Sequence, residues 1–311
     1  MAGLGKILVV CGPTATGKTA LALHLARSLG GEVVGADSMQ VYTGLTIGTA
    51  APTPGEMAQV PYHLVGHVPP QQPYSVAAWL QDAEEAIDEI RQKGRVPVVC
   101  GGTGLYIQSL VMGLRFTEEN DDGLRAQLYA EWETNGAEEM HRRLAAVDPA
   151  RAAVLHVNDK KRVLRALQQC MATGQTAEER LAASRRVPPR WQSLAIGLHY
   201  STRAALYAAI DSRVDEMMQR GLLEEARTVW HHRAQYATAA QAIGYKEFFP
   251  YFEDAAPLAD CTARLKQASR NYAKRQLTWF GGMQGIHWLA VDEDGVLEKA
   301  QALAQGFLQP E

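Results

Sequence analysis

The segment Gly12-Pro-Thr-Ala-Thr-Gly-Lys18-Thr19 matches the phosphate-loop pattern G-x-x-x-x-G-K-[ST] at every fixed position. An apolar run at residues 6–10 precedes it, and a helical pattern at residues 20–27 follows. A strand, a glycine-rich turn and a helix in this order place backbone N–H groups and a helix N-terminus around phosphate oxygens. Lys18 would add a cation, and Thr19 a hydroxyl ligand for Mg²⁺. The segment therefore predicts a phosphate site, without deciding whether the phosphates belong to a nucleotide.

The composition is typical of a soluble globular protein. The chain has 311 residues, 47% of them hydrophobic, and a formal net charge of −3. This charge argues against general affinity for polyanions but leaves room for local basic surfaces. No apolar run approaches the roughly 20 residues of a membrane span, and no leader precedes the first strand, so we expect a cytoplasmic protein. The cysteines are far apart and form no C-x-x-C pair, which predicts reduced thiols rather than a zinc site or a disulfide framework.

Runs typical of buried strands alternate with helical patterns along the chain. After the first strand they lie at residues 32–37, 96–100, 193–199 and 287–291. This alternation predicts a parallel sheet. Asp37 then falls at the carboxyl end of the second strand, which is the edge where ligands bind in open α/β sheets. Residues 41–73 are rich in Gly, Pro and Thr and predict a long loop or lid over that edge.

From residues 113–123 to about residue 183 the chain has helical patterns and no strand-like run. This predicts an inserted helical domain, residues 115–192, between core segments 1–114 and 193–311. Its clearest helix begins after Asp159, a good N-cap, and ends at Gly174. The first turns of this helix carry Lys160, Lys161, Arg162 and Arg165. Because cations at a helix start oppose the helix dipole, they indicate either a solvated face or an anionic partner.

A second cationic helix is predicted from about residue 258 to residue 280. Lys266, Arg270 and Lys274 recur every four residues and should form one stripe. The aromatic residues Tyr272 and Trp279 lie between these cations, and on a helix we expect them to pack in the core. Two basic helices favour a nucleic-acid partner, since Lys and Arg contacts to phosphates position such partners.

A phosphate loop with Asp37 at the next strand end fits more than one function. In a small-molecule kinase the loop would hold ATP and Asp37 would contact an acceptor hydroxyl. In a transferase it would hold a leaving diphosphate while Asp37 accepts a proton from the attacking atom. A non-catalytic, NTP-driven RNA-binding switch is a third possibility. Spacing alone slightly favours the kinase, whereas the basic helices favour an enzyme acting on nucleic acid.

A series of motifs, in order, resembles those of bacterial tRNA dimethylallyltransferases. They are Gly12-Pro-Thr-Ala-Thr-Gly-Lys-Thr19, Ala36-Asp-Ser-Met-Gln-Val-Tyr42, Ile47-Gly-Thr49, Gly101-Gly-Thr-Gly-Leu-Tyr106, Arg162-Val-Leu-Arg-Ala-Leu167, Gln241-Ala-Ile-Gly-Tyr-Lys-Glu247 and Tyr272-Ala-Lys-Arg-Gln-Leu-Thr-Trp-Phe280. The resemblance implies an α/β fold, with a phosphate-loop NTPase-like parallel sheet core and an inserted helical domain. It implies transfer of a dimethylallyl group from dimethylallyl diphosphate to the exocyclic amine of the adenine beside the anticodon of tRNA, with Mg²⁺ as cofactor. We expect a monomer.

The resemblance also implies roles for single residues. Asp37 would be the base, and Thr19, Lys18 and Arg213 would complete the catalytic set, with Thr19 as the metal ligand. The diphosphate would be held by Gly12, Thr14, Ala15, Thr16, Gly17, Lys18, Thr19 and Arg213. The tRNA would be contacted by Asp37, Ser38, Met39, Gln40, Thr103, Arg125, Lys161, Arg162, Val163, Leu164, Arg165, Ala166, Ala242, Ile243, Gly244, Tyr245, Lys246, Glu247, Lys274, Arg275, Gln276, Thr278 and Trp279.

Departures from the family pattern leave Thr43, Ala51, Tyr62 and Gly66 without a role. Thr16 replaces the usual Ser but keeps the hydroxyl. A close rival is an enzyme that prenylates free adenine nucleotides, and the two basic helices discriminate against it because a small acceptor would not need them.

Overall fold

The computed structural model describes residues 5–114, 122–185 and 188–309. Residues 115–121, which begin the predicted insertion, and residues 186–187 near its end lie outside the described residues. Within the described part, no helix is both long enough and apolar enough to cross a membrane.

A six-stranded parallel sheet forms the centre of the fold. Its order is β3-β2-β4-β1-β5-β6, and every neighbouring pair is parallel. The strands are β1 (Gly5–Cys11), β2 (Gly31–Gly35), β3 (Tyr62–His63), β4 (Val96–Cys100), β5 (Trp191–His199) and β6 (Ile286–Ala290). The predicted α/β class and parallel sheet are confirmed.

Helices surround the sheet and build the rest of the chain. They are α1 (Lys18–Leu29), α2 (Pro54–Met57), α3 (Val76–Gln92), α4 (Gly104–Met112), α5 (Asp122–Val147), α6 (Pro149–Val154), α7 (Lys160–Thr173), α8 (Ala177–Arg185), α9 (Arg203–Gln219), α10 (Leu222–His231), α11 (Phe249–Phe252), α12 (Leu258–Gly281) and α13 (Val296–Leu308). Side-chain caps start several of them. The Ser75 hydroxyl accepts from Ala78 N at 3.1 Å, and the Asp159 carboxylate accepts from Arg162 N at 3.3 Å.

The prediction of one long loop or lid over residues 41–73 is wrong in two respects. The segment contains helix α2 and strand β3, which pairs Tyr62 with Val33 of β2. Its first residues are also buried: Val41 is 0% and Tyr42 1% exposed. A two-residue strand is too short to show the alternating hydrophobic pattern of a strand in the sequence. It is held in place by the buried Glu32 carboxylate, whose Oε2 lies 2.6 Å from His63 Nε2.

The core has separate apolar clusters. Helices α1 and α13 cover one face of the sheet, where Leu21, Leu25 and Ala300 pack with Val10 and Ile196. A second cluster joins α9, α10 and α12 to the segments around residues 41–45 and 239–248. This second cluster fixes the chain that follows β2, and hence the region beside Asp37.

The described chain divides into two compact units, one of residues 112–189 and the other of the remaining residues. The first is helical and packs around a cluster that includes Leu128, Met140, Leu144 and Val163. Its longest helix, α5, is interrupted at Gly136, whose φ of 79° lies in the left-handed region.

Candidate active site

The phosphate loop joins β1 to α1 in a backbone conformation that two of its glycines make possible. Gly12 has φ of 132°, and a Cβ there would lie 2.4 Å from the backbone oxygen of Leu198 on β5. Gly17 caps α1 with φ of 74°. Ala15 also lies in the left-handed region, with φ of 65°, which costs a non-glycine residue on the order of 1 kcal/mol. Residue 12 must therefore be glycine because the chain passes close to β5 there, whether or not it also contacts phosphate.

Hydrogen bonds within the loop already occupy several of its polar groups. The Thr16 hydroxyl, which is buried, donates to Pro13 O at 2.8 Å. The Lys18 ammonium donates to the same carbonyl at 2.7 Å. The Tyr200 hydroxyl, which the sequence did not single out, donates to Ala15 O at 3.3 Å. These bonds hold the loop in a fixed conformation before any phosphate binds, unlike a flexible glycine turn.

Gln276 of α12 connects the phosphate loop to the turn that follows β4. Its Oε1 accepts from Thr14 N at 2.8 Å, and its Nε2 donates to Gly102 O at 2.8 Å. The side chain is only 5% exposed. Although predicted as a tRNA contact, Gln276 therefore has both ends of its amide bound inside the protein. The same bond occupies the backbone N–H of Thr14, a residue predicted to hold the diphosphate.

Asp37 follows β2 and is fixed by the backbone around it. Its Oδ1 accepts from Met39 N at 2.9 Å. The neighbouring Ser38 N donates to the Thr103 hydroxyl at 2.9 Å, and Thr103 N donates to Ala36 O at 3.1 Å. The sheet edge thus brings together three predicted site residues, Asp37, Ser38 and Thr103.

Two cations share the electrostatic environment of Asp37. Burial lowers the pKa of the Lys18 ammonium to about 8, and the Asp37 carboxylate partly offsets this shift. Burial also lowers the pKa of the Arg213 guanidinium of α9, again with partial compensation by Asp37. A carboxylate whose charge acts on a lysine of the phosphate loop and on a nearby arginine can accept a proton while the cations bind an anion.

The strand-end thiols do not join this chemistry. Burial raises the pKa values of Cys11 and Cys100 to about 12 each, so both remain neutral near pH 7. A neutral thiol is a poor nucleophile. The four cysteines are free in the described structure.

A magnesium ion fits the oxygen groups of this edge. Thr19 lies in the first turn of α1, beside the loop. No group of three or more His, Cys, Asp or Glu side chains suited to a metal occurs among the described residues. Mg²⁺ commonly takes one or two protein oxygens and completes its shell with water and substrate phosphates. Thr19, with a substrate diphosphate, matches that pattern.

A model of the IPP transferase family matches residues 40–283, and a model of isopentenyl transferases matches residues 5–62. The chain belongs to the IPP transferase family. The resemblance of its motifs is thereby confirmed.

Relatives of similar length support this membership. A tRNA dimethylallyltransferase of Geobacillus kaustophilus is 42% identical over 292 residues, which cover 93% of this chain and 92% of the relative. One of Bacillus subtilis is 42% identical over 283 residues, covering 91% and 90%. The crystal structure of a tRNA delta(2)-isopentenylpyrophosphate transferase from Staphylococcus epidermidis is 34% identical with a TM-score of 0.70, covering 97% of this chain and 98% of that one. A eukaryotic dimethylallyltransferase acting on tRNA has a TM-score of 0.84 at 29% identity, covering 98% and 79%.

In this IPP transferase, the residues predicted to contact tRNA differ in exposure. On α7, Lys161, Arg162 and Arg165 are exposed, whereas Val163, Leu164 and Ala166 are buried in the helical cluster. Arg125, Lys161 and Arg165 line a cleft of about 310 Å³ within the helical unit. The exposed cations Arg125, Lys161, Arg162 and Arg165 are the members of this set whose side chains can reach an anionic partner.

The predicted contact segment 242–247 is likewise divided. Lys246 is exposed, Ile243 and Glu247 are half-buried, and Ala242, Gly244 and Tyr245 are buried. The Tyr245 ring packs on Gly48, and its hydroxyl donates to Glu225 Oε1 at 2.9 Å. The Tyr245 ring is therefore packed against the loop around Gly48 and is not exposed to solvent.

On α12 the expected stripe of cations is interrupted by partners on α9. Lys266 lies 2.7 Å from Asp215, and Arg270 lies 2.8 Å from Asp211. Lys274, Arg275 and Thr278 are exposed. The expectation that Trp279 packs in the core is wrong: it is 44% exposed and lies against Gly104, because the helix turns this face toward the β4–α4 turn.

Met39 and Gln40, both predicted to contact tRNA, also make contacts within the protein. Gln40 is half-buried, and its Nε2 donates to Thr49 O and to Ala50 O, each at 3.0 Å. Met39 packs against the cluster of α9, α10 and α12. Gln40 was predicted as an RNA contact, but its amide nitrogen is used to hold the following loop.

Proposed function

We propose that this IPP transferase moves the dimethylallyl group of dimethylallyl diphosphate to the exocyclic amine of the adenine beside the anticodon in tRNA. The observation that carries the proposal is the backbone-fixed carboxylate of Asp37 at the sheet edge, whose charge acts on both Lys18 of the phosphate loop and Arg213 of α9. An acceptor carboxylate and two cations are what an alkyl transfer with a diphosphate leaving group requires. The names of its relatives support tRNA as the acceptor.

The leaving group determines the first part of the chemistry. The amine lone pair of adenine is delocalised into the ring, so the amine attacks only a strongly electrophilic carbon. Cleavage of the allylic C–O bond supplies that carbon, and its electron pair goes to the departing diphosphate. Lys18, Arg213 and the loop amides stabilise this growing charge, because preorganised donors act most strongly where charge develops.

Mg²⁺, bound through Thr19 and the diphosphate, would add Lewis-acid stabilisation of the same oxygens.

Asp37 completes the transfer at the nitrogen. As the C–N bond forms, the amine becomes cationic and loses one proton, which the carboxylate accepts. The two backbone donors at residues 39 and 40 hold Oδ1, so the carboxylate is oriented before the substrate arrives. The adenine must leave its stack to reach this position, at a cost of a few kcal/mol.

Exposed cations would offset that cost by binding the RNA backbone. Lys274 and Arg275 lie on the same helix as Gln276, whose amide is bonded to the phosphate loop. Arg125, Lys161 and Arg165 form a second cationic surface in the helical unit. We infer an RNA-contacting role for both, in a monomeric, cytoplasmic enzyme.

Incubation of the protein with radiolabelled dimethylallyl diphosphate, Mg²⁺ and either unmodified tRNA or AMP tests this function. Label should enter tRNA and not AMP, and Lys18→Ala should nearly abolish transfer while tRNA affinity is retained. Labelling of AMP alone would favour the free-nucleotide enzyme. Phosphorylation of a small acceptor by ATP would favour a kinase.

A further inference from the structure

The carboxylate of Glu225 on α10 lies inside a ring of backbone amides. Its Oε2 accepts from Thr46 N at 2.9 Å, its Oε1 accepts from Gly48 N at 2.8 Å, and Ile47 N lies 3.0 Å from each oxygen. The Tyr245 hydroxyl adds a further donor at 2.9 Å. Consecutive amides turned toward one point form a nest that binds an anion, and here the anion belongs to the protein.

The Glu225 carboxylate is held by these neutral donors rather than by a cation. Among the described residues, no Lys, Arg or His forms a salt bridge with it, whereas its neighbour Glu224 is paired with Arg227. Bonds from N–H groups to a carboxylate are stronger than bonds between neutral groups. The loop at residues 46–48 is therefore fastened to α10 through one side chain.

The fastened loop in turn holds the segment that carries Asp37. Thr49 O and Ala50 O, directly after the nest, accept the two hydrogen bonds of the Gln40 amide. The backbone N–H groups of Met39 and Gln40 donate to Asp37 Oδ1 at 2.9 and 3.4 Å. An unbroken sequence of hydrogen bonds and covalent bonds thus leads from Glu225 to the proposed base.

A close fit on the far side limits how the loop can move. A Cβ on Gly48 would lie 2.5 Å from the Tyr245 ring, and Gly244 also packs closely on the Gly48 backbone. Tyr245 is buried and cannot retreat into solvent. The loop is therefore held by Glu225 at its amides and by Tyr245 at its glycine.

We propose that Glu225 is a positioning residue that orients Asp37 through the loop at residues 46–50 and Gln40. This inference rests on the proposed transfer to tRNA and concerns the rate of the chemical step. It assigns no substrate contact to Glu225. Removing the charge should leave the phosphate loop unchanged, because among the described residues no direct hydrogen bond joins that loop or Gln276 to Glu225, to residues 46–50 or to Gln40.

The test compares Glu225→Gln with the matched control Glu224→Gln, which removes an exposed charge one residue away. Single-turnover transfer to tRNA should slow about tenfold in Glu225→Gln and stay within about twofold of the parent in the control. Inorganic pyrophosphate binding, measured by calorimetry, should be unchanged in both. Tyr245→Phe removes only one donor and should give a smaller loss, about threefold, which keeps the test available if Glu225→Gln folds poorly.

A double-mutant cycle separates positioning from general damage. If Glu225 acts through Gln40, then Glu225→Gln in a Gln40→Met background should cost much less than it costs alone, since the two substitutions break one path. Additive losses, a parent-like rate in both Glu225→Gln and Tyr245→Phe, or a parallel loss of pyrophosphate affinity would overturn the inference. A parent enzyme that labels no tRNA would refute the proposed function instead.

Discussion

The sheet edge and the cationic helices hold their polar groups in different ways. At the edge, Asp37, Thr16 and Gln276 are bound to backbone groups and at least half-buried. On α7 and the second half of α12, Lys161, Arg165 and Lys274 are exposed. A fixed group suits a reaction whose geometry must be met in advance, and an exposed cation suits association with a polyanion. Substitutions at the edge should therefore change the rate of transfer with little effect on tRNA affinity, and those on the helices should change the affinity for tRNA.

The α12 helix shows the same contrast within one element. Its first half carries Lys266 and Arg270, which are paired with aspartates of α9. Its second half carries exposed Lys274 and Arg275. An even spacing of four residues therefore produces two kinds of cation, because within the described part of the chain Lys266 and Arg270 have acidic partners and Lys274 has none.

The largest expected effect is at the edge, with Asp37→Asn. Asparagine can still accept the Met39 hydrogen bond through its oxygen but cannot take a proton. Single-turnover transfer should slow by on the order of 10²-fold or more, while tRNA and diphosphate affinities stay near those of the parent.

A magnesium titration decides whether Asp37 acts instead through the metal. If its carboxylate only supports Mg²⁺ through water, activity of the asparagine variant should return at high Mg²⁺. Recovery toward the parent rate would rule out Asp37 as the base. It would also weaken the contrast between the sheet edge, expected to set the transfer rate, and the cationic helices, expected to set the tRNA affinity.

The next effect concerns the pH dependence of Lys18. Burial lowers the pKa of its ammonium from 10.5 to about 8. A bound diphosphate favours the charged form, so binding above pH 8 must take up a proton. The advantage of the parent over Lys18→Ala in pyrophosphate affinity should therefore shrink by about tenfold between pH 7 and pH 9. The difference between the two proteins cancels the titration of pyrophosphate itself, and a constant difference across this range would contradict the assigned pKa.

The sequence predicts the sheet edge better than it predicts individual contacts. Strand ends and the phosphate loop follow from local patterns, which is why Lys18 and Asp37 were placed correctly at one edge. The bridge made by Gln276 joins residues 262 positions apart, and no local pattern encodes such a pairing. The motif resemblance identifies Gln276 as a functional residue but does not show that its side chain is buried.

Glu225 illustrates a signal that the sequence did contain. Leu222, Ala226 and Val229 form the buried face of α10, and Glu225 adjoins that face with half of its side chain covered. A carboxylate beside a buried stripe requires donors. The identity of those donors, amides of a loop more than 170 residues earlier, depends on the tertiary fold.

A smaller effect is expected for the exposed half of α12. Replacing Lys274 and Arg275 by Gln should weaken tRNA binding by about five- to tenfold and lower the slope of log affinity against log salt by roughly two units. The transfer rate at saturating tRNA should change little. Filter binding at several salt concentrations measures both quantities, and an unchanged slope would show that neither residue contacts phosphate.

The smallest effect on RNA binding is expected for Lys266 and Arg270, the two cations of α12 that are paired with aspartates. Lys266→Gln with Arg270→Gln should change tRNA affinity by less than about twofold and leave the salt slope unaltered, because both side chains already bind aspartates of α9. Each pair is partly exposed, so the loss of folding stability should be modest, about 1 kcal/mol or less per pair. Asp211→Asn with Asp215→Asn provides the decisive companion: it frees both cations without removing them, and tRNA affinity should then rise with a steeper salt slope. If the Gln pair instead flattens the slope as strongly as Lys274 and Arg275 do, the aspartates release their partners when RNA binds, and the whole of α12 acts as one RNA-binding surface.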